Sequence, residues 1–243
     1  MATYGSARIS ENGTVRGQRG DQNSREVSTQ PAYMLKNSRI IRAKDDNVAN
    51  GLAFTMLCAC NFDKVGYSQP DRYAVFFQGI DSVPTNADCS SLVAYCVRNC
   101  GITNFEVTDF YTGNMEERLL GTGQFNAFPC TNLDTLETGD IVYNANHTVI
   151  VTEGIPRDGQ TTFDEPQPTL RRGDSGAEVV KLQKFANQYC NAKLLEDGDY
   201  GQKTEDFVKF MQGFWGLEID GVYGEKSHKV VLFILWANGV KAV

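Results

Sequence analysis

Residues 88–101 read Asp88-Cys89-Ser90-Ser91-Leu92-Val93-Ala94-Tyr95-Cys96-Val97-Arg98-Asn99-Cys100-Gly101. The apolar positions Leu92, Val93, Cys96, Val97 and Cys100 follow helical spacing, so the stretch predicts a helix with one face on a core and Gly101 placed to end it. Cys89 opens that helix, directly after Asp88. A thiol there lies in the positive field of the helix N-terminus, which favours a thiolate, and the free backbone N–H groups beside it can hold an oxyanion.

Downstream, Gly139-Asp140 precedes Ile141-Val142-Tyr143, a polar Asn144-Ala145-Asn146 and then His147-Thr148-Val149-Ile150-Val151-Thr152. Two β-rich runs joined by a polar turn predict a hairpin whose second strand is opened by His147. The chain has two histidines, His147 and His228. His147 alone lies in the N-terminal part, so it is the candidate general base for Cys89. The competing reading makes Cys89 an inert member of the stripe that buries Cys96 and Cys100. The polar flanks Asp88 and Ser90, and the single histidine available, favour catalysis. Upstream, Asp45 to Phe62 has apolar residues at helical spacing with Asp45 or Asp46 as N-cap. Residues 1–44, rich in Gly, Ser, Asn and Arg, read as loop with one short strand.

With these residues in hand, the chain resembles the NlpC-type papain-like peptidoglycan hydrolases, through Asp88-Cys89-Ser90 and Gly139-Asp140 to His147. Within them it looks like phage lysins carrying Gly-Asp-Gln and Gly-Tyr-x-Gln-x-x-Arg, here Gly20-Asp21-Gln22 and Gly66-Tyr67-Ser68-Gln69-Pro70-Asp71-Arg72. The resemblance covers roughly residues 15 to 155. It implies Cys89 as nucleophile, His147 as general base, and a polar residue on the strand after the histidine to orient the ring. Gln160 is the choice for that third catalytic role, with Asp158 and Glu153 behind it. The second histidine often found there is absent, and Ser91 stands where many members have glycine. Tyr67, Gln69, Arg72, Asp88 and Ser90 are expected at the cleft as substrate-binding or supporting residues.

Pro156, Pro166 and Pro168 mark a linker, after which Asp197-Gly198-Asp199-Tyr200-Gly201 returns as Asp220-Gly221-Val222-Tyr223-Gly224. With apolar stripes at Val179, Leu182, Ala186, Tyr189 and at Phe207, Phe210, Met211, Phe214, this part reads as a three-helix bundle. It resembles the peptidoglycan-binding domain of wall hydrolases. Tyr200, Trp215 and Tyr223 are the candidate wall-contacting rings, against the plainer role of core packing; His228 reads as a surface residue. The expected architecture is therefore α+β: a papain-like hydrolase domain over 1–160, a linker over 161–167 and an all-α peptidoglycan-binding domain over 168–243.

A formal charge of −7 offers no basic face for nucleic acid. No stretch has the length of a membrane span, and the N-terminus lacks the n- and h-regions of a signal peptide. Seven cysteines at irregular spacings read as free thiols; Cys58, Cys60, Cys96 and Cys100 fit no common zinc pattern, so neither metal nor cofactor is expected. The expectation is a monomeric endolysin, held in the host cytoplasm until lysis, whose partner is bacterial peptidoglycan. The alternatives are a non-catalytic wall-binding or virion structural protein, and an acyltransferase or deamidase on the same scaffold.

Overall fold

A computed structural model describes residues 2–10, 13–23, 25–81, 83–155, 157, 161–237 and 240–242. The chain divides into two compact units, Met1–Gly159 and Gln160–Val243. The first is mixed α/β. Its sheet is built from β1 (Thr3–Ala7), β2 (Val27–Pro31), β3 (Arg39–Ala43), β6 (Phe125–Pro129), β7 (Ile141–Tyr143) and β8 (Thr148–Glu153), in the order β2-β1-β8-β7-β3-β6. Against it lie α1 (Asp46–Asn61) and α3 (Cys89–Asn99). A parallel pair, β4 (Val65–Tyr67) with β5 (Thr85–Ala87), flanks the short α2 (Val75–Gln78), and α4 (Met115–Gly121) precedes β6.

Helix α1 starts where Asp45 caps it, its Oδ1 accepting from Asn47 N at 2.8 Å and Val48 N at 3.1 Å. Leu52, Ala53, Met56 and Cys60 are among its many buried residues. That suits a helix enclosed on most sides: small residues at Ala49, Gly51, Ala53 and Ala59 let neighbours approach closely. Gly5 of β1 shows how closely, since a Cβ there would stand 2.5 Å from the Met56 side chain.

The opening segment carries more β-structure than its composition suggests. Its three strands have little apolar alternation of their own, and tertiary pairing of β1 between β2 and β8, and of β3 between β7 and β6, stabilises them. The hairpin β7–β8 forms as expected, pairing Ile141 with Ile150 and Tyr143 with Thr148. His147 lies in its turn, one residue before the strand.

The Gly-Asp that opens the hairpin has a structural role. Gly139 has φ +86° and a Cβ there would come within 2.1 Å of the Ala49 carbonyl, so no other residue fits. Asp140 is fully buried. Its carboxylate receives both Arg42 Nε and Nη2 at 2.7 Å, and Glu137 N at 2.9 Å. Arg42 also pairs with Glu137, which in turn pairs with Arg157, itself bonded to Asp46 at the start of α1 at 2.8 Å. This network ties the hairpin to β3 and to α1.

The second unit packs α5 (Ala177–Cys190), α6 (Gln202–Phe214) and α7 (Glu225–Ala237) around Leu182, Phe185, Tyr200, Val208, Tyr223 and Leu235. It is not purely helical. Within the stretch read as a linker, β9 (Thr161–Phe163) pairs in parallel with β10 (Val240–Ala242), and Phe163 meets Tyr189 edge-on at 5.4 Å. Short strands of this kind, paired across nearly the full length of the unit, leave no local periodic signature.

The repeat has a shared physical cause. In each copy the Asp-Gly turn receives a buried glutamine from the preceding helix. Gln183 Nε2 donates to Asp197 Oδ1 at 2.9 Å while its Oε1 accepts from Gly198 N at 2.9 Å; Gln212 does the same to Asp220 and Gly221 at 2.7 and 2.9 Å. Both turn glycines adopt φ near +74°.

Candidate functional site

Asp88 caps α3. Its Oδ1 accepts from Ser91 N at 2.7 Å, and Ser91 Oγ accepts in return from Asp88 N at 2.9 Å, a reciprocal capping box with serine in the third position. Ser91 is therefore a helix-start residue, and its side chain completes the cap. Cys89 follows as the first helical residue and is half-buried. Ser90 turns inward, its Oγ donating to Asp88 Oδ1 at 3.1 Å.

Burial pushes the Cys89 thiol up to about 11, and the neighbouring Asp88 carboxylate adds to the rise; the Thr148 and Ser90 backbone N–H groups and the Arg72 guanidinium pull the other way. A thiol depressed by the helix field was expected; in this fold desolvation outweighs that field. The Thr148 contact places the thiol at the start of β8, beside His147. Burial, and then the charge of Arg8, hold His147 below an ordinary histidine. Both shifts favour the uncharged forms, thiol and neutral imidazole. No thiol–imidazole hydrogen bond is found among the described contacts. The His147 backbone is fixed by its N–H on Asn144 Oδ1 at 3.0 Å and its carbonyl on Asn144 N at 2.9 Å.

The third position is less simple. Gln160 and Asp158 lie outside the described residues. Glu153 ends β8, exposed, with its Oε2 accepting from Thr3 Oγ1 at 3.2 Å. The strand beside β8 on the side away from β7 is β1, from the chain's beginning. That topology brings Arg8 near His147, a residue the sequence reading passed over because nothing local links the two.

Of the five expected cleft residues, Tyr67, Asp88 and Ser90 are buried and Gln69 is exposed. Asp88 and Ser90 spend their polar atoms on the helix start. Arg72 spends its donors on Asp88 Oδ2 and Ser90 Oγ, each at 2.9 Å, and on the Phe110 carbonyl. Arg72, Asp88 and Ser90 are thus bound to one another at the helix start. Tyr67 stands near the thiol, whose charge, after burial, raises its phenol, and its hydroxyl lies 3.5 Å from Gln69 Nε2.

Cys58 and Cys60 on α1, Cys96 on α3 and Cys100 at its C-terminal cap lie close enough for charge on the other three to be felt at Cys96, and burial raises all four thiols. Among the described residues no group of three or more His, Cys, Asp or Glu is arranged to hold a metal ion.

In the second unit, Tyr200 and Tyr223 are 0% exposed. Their hydroxyls donate to the Gly221 and Pro166 carbonyls at 2.9 and 3.0 Å, so they are core rings and cannot offer a face to a glycan. Trp215 is half-buried, edge-on to Phe233 at 4.6 Å and to Phe214 at 5.8 Å. His228 is not a bare surface residue: its Nδ1 lies 2.9 Å from Tyr223 Oη. Among the described residues of this unit, the rings that face solvent are Phe210 and Phe214, 69% and 75% exposed and 6.3 Å apart at an interplanar angle of 31°.

A half-buried thiol at a helix start near a hairpin turn that carries a histidine, and a helical unit with two clamped Asp-Gly turns, describe a class of two-unit proteins. Residues 4–156 match the endolysin-like domain, and the chain belongs to that family. Residues 175–230 match a peptidoglycan binding domain. The N-acetylmuramoyl-L-alanine amidase CwlL of Bacillus licheniformis is 36% identical over 67 residues, which are 27% of this chain and 19% of that protein, so the match spans about a fifth of the relative's length. The crystal structure of the SleB N-terminal domain is 27% identical, with 29% of this chain and 94% of that one covered at a TM-score of 0.26. No described helix is long and apolar enough to cross a membrane.

Proposed function

We propose that this chain is an endolysin: a cell-wall hydrolase that cuts an amide bond in the peptide part of bacterial peptidoglycan, with Cys89 as nucleophile. The observation that carries the reading is the contact between the Cys89 thiol and the start of β8, which brings the helix start and the His147 turn to one place. The endolysin-like and peptidoglycan-binding matches support the substrate class.

The resting pair being neutral, His147 takes the thiol proton as sulfur attacks the carbonyl carbon, and returns it to the departing amine. Water then releases the acyl group from sulfur with the imidazole again as base. Gln160 is the proposed orienter of the ring. Tyr67 and Gln69 line the approach to the thiol. The catalytic unit is read as papain-like of the NlpC type, and the bond as a stem-peptide or cross-bridge amide or the lactyl amide that joins peptide to glycan. In the second unit, wall contact is assigned to Phe210 and Phe214, with Trp215 behind them, since aromatic faces stack on sugar faces. The protein acts as a monomer, made in an infected bacterium's cytoplasm and reaching the wall at lysis.

The test is mass spectrometry of fragments released from purified peptidoglycan by the protein and by Cys89→Ala and Cys89→Ser. New amine and carboxyl ends from the parent, and none from either variant, are expected. Release undiminished in the variants would remove Cys89 from the chemistry. Sacculus binding without any release by the parent would favour a non-catalytic wall-binding protein.

A further inference from the structure

The residue beneath the candidate nucleophile is Arg72, in the turn before α2. Its Nη1 pairs with Asp88 Oδ2 at 2.9 Å, its Nη2 donates to Ser90 Oγ at 2.9 Å and to the Phe110 carbonyl, and its guanidinium lies over the Tyr73 ring at 5.2 Å. Asp88 and Ser90 close the ring through their own 3.1 Å hydrogen bond. The preceding residue is held as firmly: Asp71 receives Arg19 Nε and Nη2, both at 2.6 Å, and Asn86 Nδ2 at 3.1 Å. The two segments around Cys89, Gly66–Arg72 and Asn86–Ser91, are thus bound through charged side chains to one another.

The arrangement answers a physical conflict. A carboxylate at the N-cap is the best start for α3, but it puts a negative charge next to a sulfur that must carry negative charge during attack. The conflict is relieved if a cation is fixed on the carboxylate's far oxygen, where it compensates the charge without giving up the cap. Asp88 uses Oδ1 for the helix and Oδ2 for Arg72.

We propose that Arg72 is a positioning residue of the Cys89 centre: it holds the capping carboxylate and Ser90 in place and offsets the carboxylate's charge beside the sulfur. It acts through Asp88 and does not touch substrate. Its consequence for catalysis rests on the assignment of Cys89 as nucleophile; its effect on the thiol does not.

The experiment is the pH dependence of iodoacetamide alkylation of Cys89 in the full-length protein, read by mass spectrometry of the peptide that carries it. The variants are Arg72→Met, Arg72→Lys, Asp88→Asn and the Arg72→Met/Asp88→Asn pair, with Cys96 as an internal reporter of unfolding. Arg72→Met should slow Cys89 alkylation at pH 8 about tenfold, a shift of about one pKa unit. Asp88→Asn should speed it, Arg72→Lys should recover part of the loss, and Arg72→Met should have little effect in the Asp88→Asn background. A purely structural role would instead expose Cys96 and speed alkylation throughout. Unchanged Cys89 alkylation in Arg72→Met with Cys96 still protected overturns the proposal. If Arg72→Met exposes Cys96, then Asp88→Asn and Arg72→Lys decide: faster alkylation in the first with partial slowing in the second supports it, and no change in either overturns it. Since alkylation needs no turnover, a failure here is distinct from a failure of the hydrolase reading, which Cys89→Ala tests.

Discussion

Replacing Arg42 by Met leaves the Asp140 carboxylate fully buried with its cation gone. The variant loses two charge-assisted hydrogen bonds of 2.7 Å to Asp140, the contact with Glu137 and a 2.9 Å bond to the Thr135 carbonyl, while the methionine stem keeps much of the packing. Breaking a buried pair by removing one partner costs about 3–5 kcal/mol, most of it from the charge left behind. For a unit of this size that lowers the melting temperature by on the order of 10 °C. Both tryptophans, Trp215 and Trp236, lie in the second unit. Urea unfolding followed by far-UV circular dichroism should therefore show the first transition moving to lower urea, with the tryptophan fluorescence transition unmoved. The pH response has a definite sign. Burial holds the Asp140 carboxyl above the ordinary range even with Arg42 present, and without Arg42 it rises further. A folded-state value above the unfolded one gives stability that is full at low pH and lost as pH rises, so the deficit of Arg42→Met should be largest at pH 7 and shrink toward pH 5. A loss below about 1 kcal/mol, or a deficit that grows on acidification, would refute the view that this network holds the hairpin carrying His147.

Because His147 is held below an ordinary histidine, the acid limb of kcat/KM should fall at a pH under about 6.5, and a limb at or above that value would contradict a neutral resting pair. Phe210→Ala/Phe214→Ala should weaken sacculus pull-down about tenfold with stability changed by less than about 0.5 kcal/mol, as both rings are exposed; unchanged binding would clear the rings of any wall contact. A fragment beginning at residue 160 should fold alone, whereas one beginning at 168 lacks β9 and Phe163 and should be about 2 kcal/mol less stable by urea denaturation; equal stability would show that β9 adds nothing. The 1–160 fragment, which keeps Gln160, should retain turnover of soluble wall peptides and need a higher concentration to clear intact walls, because the second unit raises local concentration only.

Local pattern was enough for the parts of this protein that are locally determined. The stripe from Leu92 to Cys100 with Asp88 before it and Gly101 after it specifies α3 and its cap, Asp45-Asp46 marks the start of α1, and a turn between two β-rich runs specifies the hairpin, though His147 falls in the turn rather than opening the second strand. The Asp-Gly repeat likewise announces two equivalent turns. Tertiary structure decided what no window of sequence contains. It placed β1 beside β8, so Arg8, from a strand far away in sequence, lies near His147. It buried Tyr200 and Tyr223, which follow the Asp-Gly turns, and left Phe210 and Phe214 in solvent although they lie in the apolar stripe of α6. It also set the thiol of Cys89 upward instead of downward, because the desolvation that outweighs the helix field comes from residues far away in sequence, packed around the start of α3 only once the chain is folded.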